Sequence, residues 1–148
     1  MHELTDITHF IRSALSEKDA ARDLAVRRSR ELIRLCSECI RALHRHDWTE
    51  TDIKLKGIQA AAQEMREGVQ AYPDLYYSGY TQDAMKEVAE AFITSAMIRQ
   101  QTLPTPQALQ VEPSTYLNGM AEAATELRRF ILDMMRREDS HSDEAERL

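Results

Sequence analysis

Residues 84–98 read AMKEVAEAFITSAMI, and this stretch indicates how the chain folds. Ten of its fifteen residues are apolar, and they surround nearly the whole circumference of a helix. A helix of this kind belongs inside a protein, where neighbouring elements cover it. Its polar residues are Lys86, Glu87, Glu90, Thr94 and Ser95.

The rest of the chain repeats the 3.6-residue period of amphipathic helices and shows almost no alternation of period two. Thr51 or Asp52 is the predicted N-cap of the second helix, and Thr105 caps a short turn near 106–109. We expect an all-α fold, an antiparallel bundle of long helices, in one domain over residues 1–148. Long helices are predicted over about residues 5–46, 52–71, 74–101 and 113–137, and residues 140–142 are predicted to cap one more.

The expected core faces carry an apolar side chain at every third or fourth position. In the first helix these residues are Ile7, Phe10, Ile11, Ala14, Leu15, Leu24, Leu32, Leu35, Cys36, Cys39, Ile40 and Leu43. In the second helix they are Ile53, Ile58, Ala62, Met65 and Val69, and in the fourth Leu117, Met120, Ala124, Leu127, Ile131 and Met134.

Cys36 and Cys39 also form a C-x-x-C pair, which could be half of a zinc site or a redox pair. No second pair completes a tetrahedral zinc site, and no βαβ pattern surrounds the motif. Both cysteines fall on the apolar stripe of the first helix, so we expect them to pack in the core.

Composition and charge exclude several classes of protein. Four Gly and four Pro in 148 residues argue against sandwiches, barrels and disorder. The net charge of −6 conceals a basic stretch at 22–45, where seven arginines face three acidic residues. No run of apolar residues approaches the length of a membrane span, and the first ten residues contain no signal-peptide core. We expect a cytoplasmic protein without a membrane partner.

Two pairs of acidic residues lie one helical turn apart on consecutive long helices. Glu87 and Glu90 belong to a narrow polar line on the third helix, and Glu122 and Glu126 share one face of the fourth. Carboxylates from facing helices are common ligands of Mg²⁺ or Mn²⁺. Solvent-exposed seams have the same spacing, so the pattern alone leaves both interpretations open.

Four segments together carry a family resemblance. They are RDLAVRRSRELIRLCSECIRALHR (22–45), YPDLYY (72–77), EVAEA (87–91) and YLNGMAEAATELRR (116–129). In order and spacing they resemble the translin superfamily, and specifically its Trax-like branch. The resemblance covers most of the chain and implies a translin-like helical fold and a homo-oligomer.

This resemblance implies a Mg²⁺- or Mn²⁺-dependent endoribonuclease that acts on single-stranded RNA by metal-assisted phosphodiester hydrolysis. Glu87 and Glu90 match the family's E-x-x-E pair, and Glu126 matches the acid before the leucine of its second motif. Glu122 stands where the Trax-like pattern has an aspartate. All four glutamates are expected to be catalytic and to bind the metal.

The basic stretch of the first helix is the expected nucleic-acid-binding surface, for single-stranded RNA and also for single-stranded DNA. Arg27, Arg30 and Arg34 share one side of the helix, and Arg28 lies beside them. A solvated face paired with neighbouring glutamates explains these arginines equally well.

Two other functions compete with this interpretation. The stronger is a non-catalytic subunit of a translin-like oligomer that binds single-stranded nucleic acid or acts as a scaffold. A nucleotide pyrophosphohydrolase of the MazG type ranks third, because its E-E-x-x-E and E-x-x-D motifs are absent. Translin-like chains usually continue through further C-terminal helices, which leaves open a truncation at the C-terminus.

Overall fold

The computed structural model describes residues 3–137 and 143–148, and every regular element in these residues is an α-helix. This confirms the all-α prediction. The helices are α1 (Leu4–His44), α2 (Trp48–Val69), α3 (Pro73–Tyr76), α4 (Gly79–Ile98), α5 (Pro106–Leu109), α6 (Pro113–Arg136) and α7 (Asp143–Arg147).

α4 lies at the centre of the bundle, where it contacts α1, α2 and α6. Met85, Val88 and Ile93 on this helix are at most 3% exposed. Burying an apolar side chain of this size stabilises the fold by about 1.5–3 kcal/mol. The prediction that residues 84–98 lie inside the protein is therefore confirmed.

The two cysteines belong to the hydrophobic core. Cys36 and Cys39 are free, at most 1% exposed, and packed among apolar side chains of the bundle. Burial raises the pKa of both thiols, so they are neutral at physiological pH. The core-packing prediction is confirmed.

The start of α2 differs from the prediction, whereas the start of α5 agrees with it. α2 begins at Trp48, because the side chain of Asp47 accepts a 3.0 Å hydrogen bond from the backbone N–H of Glu50. The predicted cap at Thr51 or Asp52 is wrong, and Thr51 is a buried residue inside the helix. Thr105 does cap α5, since its hydroxyl accepts from the backbone N–H of Ala108.

The helix predicted over residues 74–101 is divided into α3 and α4. The hydroxyls of Ser78 and Thr81 both donate to the carbonyl oxygen of Leu75, at 2.6 and 2.7 Å. Side chains that bond the backbone in this way compete with helix formation. Ser78 therefore adopts an extended conformation, and Gly79 begins the next helix.

Several side chains predicted for the core are exposed. α1 has 41 residues and its partner α2 has 22, which correspond to about 60 Å and 33 Å of helix. The first turns of α1 consequently extend past α2, and Phe10 and Leu15 are 72% and 62% exposed. Also exposed are Ile7, Ile11, Ala14, Leu24, Ile53, Leu117, Met120 and Ala124.

On α6 the predicted core residues Leu127 and Met134 are buried, but small residues occupy the middle of the buried face. Gly119 and Ala123 are buried, whereas Leu117 is 65% exposed. Hydrophobicity alone predicts that Leu117 is buried, but two helices that pack closely require small side chains at their contact.

Within the described ranges, none of the helices has the length and apolar character needed to cross a bilayer. The predicted cap at residues 140–142 lies outside the described residues.

Candidate metal centre and nucleic-acid interface

Gly119 allows α6 to lie directly against α4. A Cβ atom on Gly119 would come within 2.7 Å of Ala89 Cβ and 2.8 Å of the Lys86 carbonyl oxygen. Only glycine fits this crossing without moving the helices. Glu122 follows three residues later on the same side of α6, and it therefore faces the acidic part of α4.

Glu87, Glu90 and Glu122 meet at this crossing. Each offers a carboxylate oxygen, and the three oxygens lie within 4.8 Å of one another. Glu90 is buried, with 8% of its surface exposed, and the other two are partly buried. The structure thus brings together three of the four glutamates predicted as site residues.

The polar line on α4 is buried in its middle. Thr94 lies one turn beyond Glu90, is 1% exposed, and its buried hydroxyl has no hydrogen-bond partner among the described residues. Asp83, at the start of the line, is exposed. A seam open to solvent along its whole length is therefore the wrong interpretation of this line.

Burial raises the pKa of Glu90 to about 8, and the charges of Glu87 and Glu122 add to this effect. A carboxyl group in a poorly hydrated site resists ionisation, and nearby carboxylates resist it further. Glu90 is therefore mostly protonated at neutral pH when no cation is present. A divalent cation would reverse this preference, because it stabilises the ionised carboxylate.

Lys86 supplies a positive charge at the edge of the cluster. Its Nζ donates to Glu122 Oε1 at 2.7 Å and lies 3.4 Å from Glu87 Oε1. The hydrogen bond with Glu122 raises the pKa of Lys86, so its ammonium stays charged.

Glu126 points to a different set of partners. Its Oε2 lies 3.0 Å from His44 Nε2, and its Oε1 accepts from Arg129 at 3.2 Å. The buried Nδ1 of His44 lies 3.3 Å from Asp133 but makes no hydrogen bond with any described residue. Glu126 is close enough for its charge to contribute to the raised pKa of Glu90, yet it lies outside the group of three carboxylates.

Two of the four arginines predicted to bind nucleic acid make contacts within the protein. Arg34 forms ion pairs with Glu31 and Glu38 on its own helix. Arg28 donates to the carbonyl oxygen of Glu64 at 3.2 Å and lies against α2. The remaining two, Arg27 and Arg30, are exposed.

Sequence reasoning missed the contacts that Lys86 and His44 make with the predicted site glutamates. Lys86 is one of five polar residues in residues 84–98, and that position in an apolar helix was an available signal. His44 meets Glu126 across 82 residues of sequence, and helical periodicity carries no information about such a contact.

No family model matches the chain. An uncharacterized protein of Methanocaldococcus jannaschii is 26% identical over 136 residues, which are 90% of this chain. The chain spans 60% of the length of that curated relative. The crystal structure of apo-NeC3PO has the same fold, with a TM-score of 0.80 at 20% identity over 93% of this chain and 72% of that one.

Two structures of AfC3PO are more similar in sequence. Its crystal structure has a TM-score of 0.84 at 28% identity, over 95% of this chain and 71% of that one. In the AfC3PO–duplex RNA complex the identity is 30%, with the same coverage and a TM-score of 0.75. The chain belongs to the translin superfamily.

Membership of the translin superfamily confirms the resemblance found in the sequence, while the Trax-like branch stays a prediction. In this translin-superfamily chain the three-carboxylate cluster forms where the E-x-x-E segment of α4 meets the Y-L-N-G segment of α6. The AfC3PO relative is in complex with duplex RNA, whereas the sequence suggested single strands for this chain.

Proposed function

We propose that this chain binds RNA and hydrolyses single-stranded RNA with Mg²⁺ or Mn²⁺ held by its acidic cluster, as a Trax-like member of the superfamily. The observation that carries the proposal is the convergence of Glu87, Glu90 and Glu122 within 4.8 Å. Backbone contact at Gly119 holds the two helices that present these side chains.

The donor set fits a hard divalent cation. All three side chains offer carboxylate oxygens, which Mg²⁺ and Mn²⁺ prefer over nitrogen or sulfur ligands. Glu90 is mostly protonated at neutral pH because it is buried beside other carboxylates, and a bound cation would stabilise its ionised form. A bound divalent ion would supply the charge stabilisation that phosphodiester hydrolysis requires.

The residues around the cluster would have three roles: binding the metal ion, binding the phosphate and accepting a proton. Glu87, Glu90 and Glu122 bind the ion, and Lys86 offers an ammonium to a phosphate oxygen at the edge of the cluster. Glu126, held by His44, completes the proposed catalytic set as an acceptor for a proton.

RNA binding is supported by the AfC3PO–duplex RNA complex and by the basic stretch of α1. Of the proposed nucleic-acid-binding residues, Arg27 and Arg30 are exposed and form no ion pair with the described residues, so they can approach phosphates. We also propose that the chain forms a homo-oligomer and that it binds single-stranded DNA as well as RNA.

The test is a cleavage assay on the purified protein. Fluorescent single-stranded RNA, duplex RNA and single-stranded DNA are incubated with Mg²⁺, with Mn²⁺ and with EDTA. We expect cleavage of single-stranded RNA that requires the metal and that is lost in Glu87→Gln, Glu90→Gln and Glu122→Gln. Asp83→Asn is the matched control, because Asp83 is an exposed acid on the same helix.

A non-catalytic RNA-binding or scaffolding subunit is the second candidate, and one observation favours it. Lys86 already provides a cation to Glu122 and Glu87, so part of the cluster is neutralised within the protein. On this alternative the protein binds RNA with the same affinity in Mg²⁺ and in EDTA, and no strand is cut.

A further inference from the structure

Arg66, near the end of α2, is a partly buried cation beside Glu67. Its guanidinium donates to Gln63 Oε1 at 3.1 Å and contacts the sulfur of Met85, while its buried Nε has no hydrogen-bond partner among the residues that the structure describes. No carboxylate of the described residues forms an ion pair with it. Partial burial lowers the pKa of Arg66, while Tyr76 and the negative charge of Glu67 oppose this effect.

This cation borders a cavity of about 470 Å³ between α2 and α3. Cavities of this volume fall in the range that holds small organic ligands. The cavity shares no residue with the acidic cluster, and it is lined by Gln63, Arg66, Glu67, Gln70, Tyr76 and Tyr77 among others.

Gln110 connects this cavity to a second one of about 160 Å³, which also contains Gln63 and Arg66. Its backbone is left-handed, with φ 54° and ψ 46°. This conformation is common where a helix ends, and Gln110 is the C-cap residue of α5. Gln110 therefore borders the same two cavities as Arg66.

The aromatic wall is formed by Tyr76 and Tyr77, whose rings pack edge to face with centroids 4.8 Å apart. Tyr76 is held by the hydrogen bond from its hydroxyl to Glu112 Oε1. Tyr77 is 64% exposed, so its ring offers a free surface for stacking. The wall thus combines a fixed ring with an accessible one.

We propose that this cavity binds a nucleoside monophosphate group, with the phosphate on Arg66 and the base against Tyr77. Guanidinium groups bind phosphate oxygens in pairs, and aromatic rings stack on any base. The glutamine amides and the Glu67 carboxylate provide acceptors and donors for a ribose hydroxyl or a base edge.

A bare anion fits this lining less well than a nucleotide does. Glu67 borders the cavity and repels a simple oxyanion, whereas it accepts hydrogen bonds from ribose or from a base amino group. The group could belong to a free nucleotide or to the 5′ end of an RNA strand, and both present the same chemistry.

Calorimetric titration of the whole protein in EDTA tests the proposal independently of the metal centre. The probes are AMP, UMP, a 5′-phosphorylated RNA trinucleotide, its 5′-hydroxyl form, inorganic phosphate and an acidic peptide. The variants are Arg66→Gln and Tyr77→Ala. Lys56→Gln is the matched control, since it removes one positive charge from an exposed position on the same helix.

We expect AMP, UMP or the 5′-phosphorylated trinucleotide to bind, and Arg66→Gln to weaken that binding about 10- to 100-fold. Tyr77→Ala should weaken it about tenfold, the loss expected for one stacked base. Lys56→Gln should leave it unchanged. Because Tyr77 is mostly exposed, its variant keeps the test valid even where Arg66→Gln does not fold.

Four results would overturn the proposal. The first is that no nucleotide probe binds, and the second is that Arg66→Gln binds nucleotides as tightly as wild type. The third is that inorganic phosphate binds as tightly as a nucleotide and that Tyr77→Ala has no effect. The fourth is that the acidic peptide binds more tightly than any nucleotide. None of them bears on RNA cleavage at the acidic cluster, which has its own assay.

Discussion

Replacing Glu90 with Gln removes the most strongly perturbed carboxyl group of the cluster while keeping its shape. Between about pH 4.5 and 8 this group is protonated in the folded protein and ionised in the unfolded chain. The folded state then binds more protons, so the free energy of unfolding falls as the pH rises. The variant has no such group and should lack this part of the pH dependence.

The size of the effect follows from the pKa values. The folded state holds one more proton than the unfolded chain across roughly 2.5 pH units, from pH 4.5 to pH 7. This difference lowers the free energy of unfolding of the wild-type protein by about 3 kcal/mol at pH 7. In a chain of this length that corresponds to a rise in melting temperature of roughly 6–12 °C for Glu90→Gln at pH 7 without metal. At pH 4.5 the two proteins should melt at nearly the same temperature.

Added metal should stabilise the wild-type protein more than Glu90→Gln. Mg²⁺ at a hundredfold excess over its dissociation constant should stabilise the wild-type protein by about 2.7 kcal/mol, and this gain should grow with pH because the ligands must ionise. Glu90→Gln should lose most of this gain together with RNA cleavage.

Melting curves by circular dichroism, from pH 4.5 to 8 with EDTA or Mg²⁺, measure both effects, and Asp83→Asn is the control with an exposed acid on the same helix. If Glu90→Gln melts below wild type in EDTA at pH 7, or if the two pH profiles run parallel, the reasoning about the buried cluster is refuted.

Two further predictions concern the helix crossing and the basic stretch. Gly119→Ala should destabilise the protein by about 1–3 kcal/mol in urea unfolding, because the added methyl group meets Ala89 and the Lys86 carbonyl. Gly57→Ala is the control: no atom lies within 4 Å of the added methyl group, so this change should stabilise the protein by about 0.5–1 kcal/mol. Equal effects of the two changes on the free energy of unfolding would contradict the close approach of α6 to α4. Replacing Arg27 and Arg30 together with Ala should weaken single-strand binding and reduce the salt slope by about 1.4, measured by fluorescence anisotropy at several salt concentrations. An unchanged slope would mean that these arginines form only a solvated face.

The helical class and part of the core could be read from the sequence because they depend on local periodicity. The apolar stretch at 84–98 identifies a buried helix wherever its neighbours lie, and Cys36 and Cys39 fall on a stripe whose spacing alone predicts burial. Glu87 and Glu90 were recognisable as a pair for the same reason. The S-G dipeptide at 78–79, a turn signal that would have divided the third helix, was also available.

Contacts between helices were decided by the tertiary structure. Phe10 has the spacing of a core residue but is exposed, because α1 is longer than the helix that covers it. The close approach at Gly119 determines which acids meet: it brings Glu122 to Glu87 and leaves Glu126 with His44. Periodicity describes the faces of one helix, whereas the length, crossing point and rotation of its neighbours determine which of those faces become a site.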